Sequence, residues 1–145
     1  SEWMTYQQGN GDVPVGLERD VALVKLAEII VFVYPTWWGG LPAQLKGWLE
    51  RVMLPGTAFV FNENNKVRPG LKNIRRIHIA STFGSPWLYV RFVNDNGRRI
   101  LARAFRLNTS LRTKVSTSSL YAMDTVTDES RKSFLLSLEK KMGTL

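Results

Sequence analysis

Cysteine is absent and histidine occurs once in this chain of 145 residues. The first absence excludes disulfides, thiol nucleophiles, iron–sulfur clusters and thiolate zinc sites. A single imidazole also leaves no histidine-built metal centre, so no metal site is expected. Long hydrophobic runs are missing too. The longest, Ile29 to Tyr34, falls far short of a membrane span, and no charged-then-apolar leader opens the sequence. Acid is scarce beside base, with 12 Asp and Glu against 20 Lys and Arg and a formal net charge of +8. Such a surface suits phosphates, anionic cofactors or acidic partners, or is simply a solvated face. No helix-turn-helix, zinc finger or RNA-binding aromatic motif accompanies it, so nucleic acid is not an expected partner. At 44% hydrophobic and 22% charged the chain has the composition of a folded protein with one core. The expectation is one soluble, cytoplasmic domain spanning residues 1–145.

Along the chain, residues 1–16 are polar and turn-rich, with Trp3, Met4 and Tyr6 as a small apolar anchor. Leu17, Val21 and Val24 then recur at helical spacing. Ile29 to Tyr34 is continuously apolar and β-rich, the pattern of a strand buried on both faces of a parallel sheet. Pro35 to Gly40 breaks it. Pro42 opens a helix whose stripe is Leu45, Trp48, Leu49 and Val52, and Pro55-Gly56 ends it. A short strand is expected within Thr57–Phe61, a polar excursion over Asn62–Gly70, and a strand through Ile74, Ile77, Ile79 and Ala80. Beyond the loop at Asn94–Gly97, a helix carries Ile100, Leu101, Ala104 and Phe105 inward. Val115–Tyr121 is the last strand. Thr127 caps a final helix with Phe134, Leu135, Leu138 and Met142 on its buried face. The order α-β-α-β-α-β-α specifies an α/β fold, a parallel sheet covered by helices. Ligands of such sheets bind beyond the carboxyl ends of the strands. Those ends are Pro35–Gly40, Ser81–Tyr89 and Tyr121–Asp124.

Two adjacent tryptophans and two glycines are a costly choice for a plain turn. Glycine lets backbone approach a ligand, and indole offers a flat wall for a planar ring such as a flavin or quinone. Trp37 and Trp38 serve equally well as core or contact residues on these grounds alone. Thr82, Phe83 and Gly84 can donate to the edge of a ligand in the same crevice. Tyr89 is either a proton donor to a reduced oxygen or a packing residue with a wet hydroxyl. His78, between Ile77 and Ile79, reads as a satisfied core histidine. Gly9-Asn10-Gly11 and Gly16 miss the dinucleotide-binding spacing, and there is no phosphate loop, nucleophile elbow or recognisable carboxylate pair.

The run Val31-Phe32-Val33-Tyr34-Pro35-Thr36-Trp37-Trp38-Gly39-Gly40-Leu41-Pro42-Ala43 continues through Leu45-Lys46-Gly47-Trp48, Glu50-Arg51-Val52 and Leu54–Phe59. It resembles the NAD(P)H dehydrogenase (quinone) family of flavodoxin-like fold. Ser81-Thr82-Phe83-Gly84 with Trp87-Leu88-Tyr89 is similar to that family's second flavin loop. Members begin with a strand, a flavin-phosphate loop, a helix and a second strand ahead of the stretch that Ser1 opens. The resemblance therefore implies either a chain lacking the first βαβ unit or a portion of a longer protein, in both cases with strands 3-4-5 of the order 2-1-3-4-5 in these residues. Ile29–Tyr34 is then an edge, expected to be covered by a homodimer partner, another self-association, or the N-terminal segment.

The resemblance further implies that Pro35, Thr36, Trp37, Trp38, Gly39 and Gly40 line the ring of FAD or FMN. Thr82, Phe83, Gly84 and Tyr89 would hold its opposite side. NAD(P)H would deliver hydride to the flavin and a quinone-like acceptor would take two electrons. The histidine that mammalian relatives place shortly after the tyrosine has no counterpart in Val90–Asn96, leaving Tyr89 or water to act alone. With the flavin-phosphate loop missing, the second implied role is a non-catalytic relative serving as an oligomeric or regulatory partner.

Overall fold

The computed structural model describes residue 13 and residues 15–145. The anchor expected of Trp3, Met4 and Tyr6 lies outside them. Helix α1 (Glu18–Leu26) buries Val21 and Val24, as the spacing predicts. Its last carbonyls are not left bare: the Asn73 amide donates to Val24 O at 3.0 Å and Ala27 O at 2.7 Å. Strand β1 (Ile29–Pro35) follows, then helix α2 (Ala43–Val52) entered from Pro42. The Trp48 indole N–H donates to Asp20 Oδ1 at 3.0 Å and ties α2 to α1.

The polar excursion proves to be the turn and second strand of a small hairpin. β2 (Phe59–Phe61) pairs antiparallel with β3 (Val67–Pro69). Asn62 Oδ1 accepts from the backbone N–H of Asn64 at 3.1 Å and of Lys66 at 2.9 Å, which organises the reversal. Strand β4 (Arg76–Thr82), helices α3 (Trp87–Val93) and α4 (Asn96–Arg99), and strand β5 (Lys114–Leu120) come next, and α5 (Asp128–Met142) completes the order.

β1, β4 and β5 form a parallel sheet in the order β1-β4-β5, pairing Ile29 with Arg76 and Arg76 with Lys114. The central strand, not β1, is buried on both faces, with Ile77, His78, Ile79, Ala80 and Ser81 all inside. β1 buries only Phe32 and Tyr34, while Val33 is 74% exposed. The physical reason is position. Among the described residues β1 pairs on one flank alone, and side chains at a sheet's edge have fewer neighbours than those of its central strand.

Three further expectations need correction. The stretch between Ser81 and Gly97 holds helix α3, which carries no amphipathic stripe: Trp87, Leu88, Tyr89 and Phe92 are exposed and only Val90 is buried. Ala104 faces solvent, because Ile100–Phe105 winds as a π-helix and only Leu101 and Phe105 point fully inward. In α5, Phe134, Leu138 and Met142 are half-buried on one stripe, and Leu135, off that stripe, is 60% exposed. The Thr127 cap stands as expected, accepting from Ser130 N at 3.2 Å.

His78 is fully buried, with Nδ1 2.8 Å from Ser116 Oγ and Nε2 without a partner. Burial pushes its pKa below the ordinary 6.5, and the positive Lys141 adds to the effect. Below that value the unfolded chain takes up a proton that the folded one refuses, so stability is complete above it and falls as the pH drops. The urea midpoint is expected to decrease between about pH 7.5 and about pH 5.5, and to decrease less in His78→Gln. Identical slopes in the two proteins would remove His78 as the cause.

Candidate functional site

A parallel sheet brings its carboxyl ends to one side, and here three loops meet there. The first is a tight reversal, with Trp37 N donating to Gly40 O at 3.3 Å and Gly40 N to Trp37 O at 2.9 Å. Its two central residues both have positive φ, 49° at Trp38 and 68° at Gly39. Glycine takes that conformation freely, but tryptophan pays on the order of 1 kcal/mol for it. The Trp38 side chain is also fully exposed.

The second loop is anchored from both sides. Phe83 N donates to Leu120 O at 2.8 Å, Met123 N to Phe83 O at 3.0 Å, and Ala122 N to Ser85 O at 3.1 Å. The Phe83 ring stacks on Tyr121 at 4.9 Å with 15° between the planes. The third loop, between α3 and α4, turns through left-handed backbone at Asn94 (φ 73°) and Asp95 (φ 27°). Asn96 N donates to Gly39 O at 3.0 Å and so binds this loop to the first. Gly97 sits directly on the Gly40–Leu41 backbone: a Cβ there would lie 2.9 Å from Gly40 C.

The loops enclose a cavity of about 430 Å³, within the range of small-molecule sites. Of the residues singled out from sequence, Thr36, Trp38, Gly39, Phe83, Gly84 and Tyr89 line it. Pro35 and Trp37 line a separate groove with Val33, Leu45 and Trp48. Thr82 contributes its carbonyl, which accepts from Thr36 N at 2.8 Å, and Gly40 closes the turn. Tyr89 stands on α3 and is 57% exposed.

Sequence reasoning missed Ser85, Val90, Val93, Asp95 and Asn96, which complete the wall. Asp95 matters most among these. It is 3% exposed and caps α4, with Oδ1 accepting from Arg98 N at 3.2 Å. Arg98 Nε lies 3.0 Å from Oδ2 but not in hydrogen-bonding alignment, so that oxygen is without a hydrogen bond. Thr36 Oγ1 and the buried Tyr34 hydroxyl are also unpartnered. Burial raises the Tyr34 pKa, the Asp95 carboxylate raises it further, and Arg98 opposes them, so the phenol keeps its proton. The run Asn94-Asp95-Asn96-Gly97 was the available signal, since such residues tolerate left-handed backbone.

A tricyclic ring fits these features. Trp38 and Tyr89 offer flat aromatic surface. Thr36 Oγ1 is a buried polar atom still without a hydrogen bond, which a ring's polar edge can supply.

A family model described as flavodoxin-like fold matches residues 1–108. An uncharacterized NAD(P)H oxidoreductase of Haemophilus influenzae is 36% identical over 76 residues, 52% of this chain and 37% of that protein. An FMN-dependent NADH:quinone oxidoreductase of Cereibacter sphaeroides is 39% identical over 62 residues, 43% of this chain and 31% of its own length. The matched stretches thus span about a third of those two relatives. Among solved structures, an NAD(P)H:quinone oxidoreductase of Methanothermobacter marburgensis superposes with a TM-score of 0.73 at 19% identity, covering 94% of this chain and 68% of that one. No helix among the described residues is long and apolar enough to cross a membrane.

Proposed function

The chain belongs to the family of flavodoxin-like fold, and from that premise we propose that it works as a flavin-dependent NAD(P)H:quinone oxidoreductase. The observation that carries the reading is Trp38, held fully exposed in a left-handed turn at the mouth of the cavity. A strained, solvated indole is a poor structural device and a good ring-binding one. The names of the two curated relatives support the same chemistry, and one of them favours FMN over FAD. A flavin bound there would accept hydride from the nicotinamide and pass two electrons to a quinone-like acceptor.

The chain's own residues orient and exclude. Trp38 walls one face of the ring, and Phe83 and Gly84 form the opposing backbone. Thr36 donates its unpartnered hydroxyl to a ring oxygen or nitrogen. Tyr89, at the rim, donates a proton to the reduced acceptor oxygen. Pro35, Trp37, Gly40 and Thr82 act less directly, by fixing the turn that presents Trp38. Residues 1–145 act as one domain in this reading. A homodimer or other self-association covers the open flank of β1, where Val31 and Val33 are exposed, and the chain works in the cytoplasm beside the reduced nicotinamide pool.

The test is to incubate the chain with FMN or FAD, desalt it, and record flavin absorbance and elution volume together. Retained flavin in a dimer-sized peak, followed by NAD(P)H-dependent quinone reduction, is the expected result. A colourless peak without turnover sinks the enzyme reading and leaves the role of a non-catalytic partner. Trp38→Asn separates binding from stability, because asparagine tolerates left-handed backbone. The variant is expected to melt at the same temperature or higher, by up to about 1 kcal/mol of relieved strain, while flavin affinity falls about tenfold. A fall in both would mean that the indole serves the fold.

A further inference from the structure

Val90 and Asp95 form a wall common to two cavities. Beyond the ring cavity lies a second one of about 470 Å³, into which Arg91, Arg98, Arg99 and Arg103 all contribute. The one carboxylate lining it is Asp95, and Arg98 already sits against that group. Arg91 lies over the Trp87 ring, 5.7 Å from its centroid. Among the described residues neither Arg99 nor Arg103 has an ion-pair partner. Their spacing is i, i+4, at which like charges on a helix repel. Repulsion of this kind, turned into a cavity, is offset by an anion. Thr117 and Tyr121 add neutral hydrogen-bonding hydroxyls to the same lining.

Asp95 Oδ2, ion-paired with Arg98 at 3.0 Å but without a hydrogen bond, narrows the choice of anion. A carboxylate beside arginines adds an acceptor for a sugar hydroxyl to their pull on phosphate, and the two together are how proteins hold a ribose joined to phosphate. A molecule reaching over the Val90–Asp95 wall would place a flat ring in one cavity and its phosphates in the other. We propose that the arginine-lined cavity is a diphosphate-ester site that holds the diphosphate of the nicotinamide co-substrate. The identity of the occupant rests on the oxidoreductase reading; the chemistry of the site rests on Arg99, Arg103 and Asp95 alone.

Inorganic pyrophosphate is the probe, titrated calorimetrically into the full chain at low salt without flavin. The wild type is expected to bind it, and Arg99→Gln/Arg103→Gln to bind about tenfold or more weakly. The melting temperature of that double variant should be unchanged or higher, since a repulsion has been removed. Lys132→Gln/Lys140→Gln removes the same charge from the exposed side of α5 and should leave the affinity as it was. NADPH should displace pyrophosphate from the wild type. Equal weakening in both double variants, or equal binding by all three proteins, overturns the site. Pyrophosphate binding that NADPH does not displace overturns the occupant and leaves a diphosphate site of another kind. None of these readouts depends on flavin, so a colourless chain would defeat the oxidoreductase reading without deciding this one.

Discussion

Alanine at Gly97 is expected to lower flavin retention about tenfold and to cost on the order of 2 kcal/mol of stability. The added methyl would sit 2.9 Å from Gly40 C, 3.1 Å from Leu41 N and 3.2 Å from Gly40 O. All three are backbone atoms, so no flexible side chain can swing aside. Either α4 moves out or the Trp37–Gly40 turn moves away, and the Asn96 N–Gly39 O bond at 3.0 Å stretches in both cases. Each movement opens the cavity by shifting part of its wall, Asn96 in the one case and Trp38 with Gly39 in the other. Gly47→Ala is the control. It lies inside α2 with nothing within 4 Å of the new methyl, so it should stabilise by about 0.5–1 kcal/mol through helix propensity. Melting temperature and flavin absorbance of the desalted proteins decide the matter. A Gly97→Ala protein that keeps wild-type flavin would show that the turn is not held by this contact.

Phe105→Ala is expected to lose about 4 kcal/mol, a large part of the roughly 5–15 kcal/mol that folded domains possess. Phe105 meets Phe32 edge-on, with ring centroids 5.2 Å apart and planes at 85°. Both rings are buried, and Leu101 lies fully inside with them in the same core. The contact fastens the π-helical turn to β1, an edge of the sheet that otherwise rests on β4. Truncation leaves a ring-sized void where two elements meet, and neither can collapse into it without leaving its own neighbours. Phe105→Leu keeps much of the volume and should lose about half as much or less. Urea unfolding of both variants measures the pair. Equal losses would assign the stability to the aromatic contact rather than to the filled space.

Much of the sheet could be read from composition and order. Ile29–Tyr34, Ile74–Ala80 and Val115–Tyr121 stood out as apolar or β-rich runs between helical patterns, and the structure pairs strands within these stretches in parallel. Which of them is central could not be read from apolar pattern, because a continuous apolar run looks the same at an edge as in the middle; the resemblance supplied it, through the order 3-4-5 that puts Ile29–Tyr34 at an edge. α3 escaped for the opposite reason: Leu88, Tyr89 and Phe92 are apolar yet exposed, so the period that betrays a helix is filled in. The carboxyl-end rule pointed to the loops around the cavity, and seven of their residues line it, six of them singled out beforehand. It could not separate Trp37 from Trp38, which depends on the sign of φ in one turn. Asp95 was out of reach for a related reason. A loop of Asn, Asp and Gly signals a reversal but not the inward burial of one carboxylate.

No two neighbouring strands of the β1-β4-β5 sheet are joined by a hairpin; Ile29 waits for Arg76, and Arg76 for Lys114. Pairing of this kind requires the closure of long loops before any contact rewards it, which slows folding. The same arrangement dates the binding site during synthesis. Phe83 is fixed through Leu120 O, and its ring through Tyr121. Until β5 has left the ribosome, Trp38 and Gly39 face a second loop with no anchor. Any occupant of that cavity would therefore meet it finished rather than shape it during synthesis.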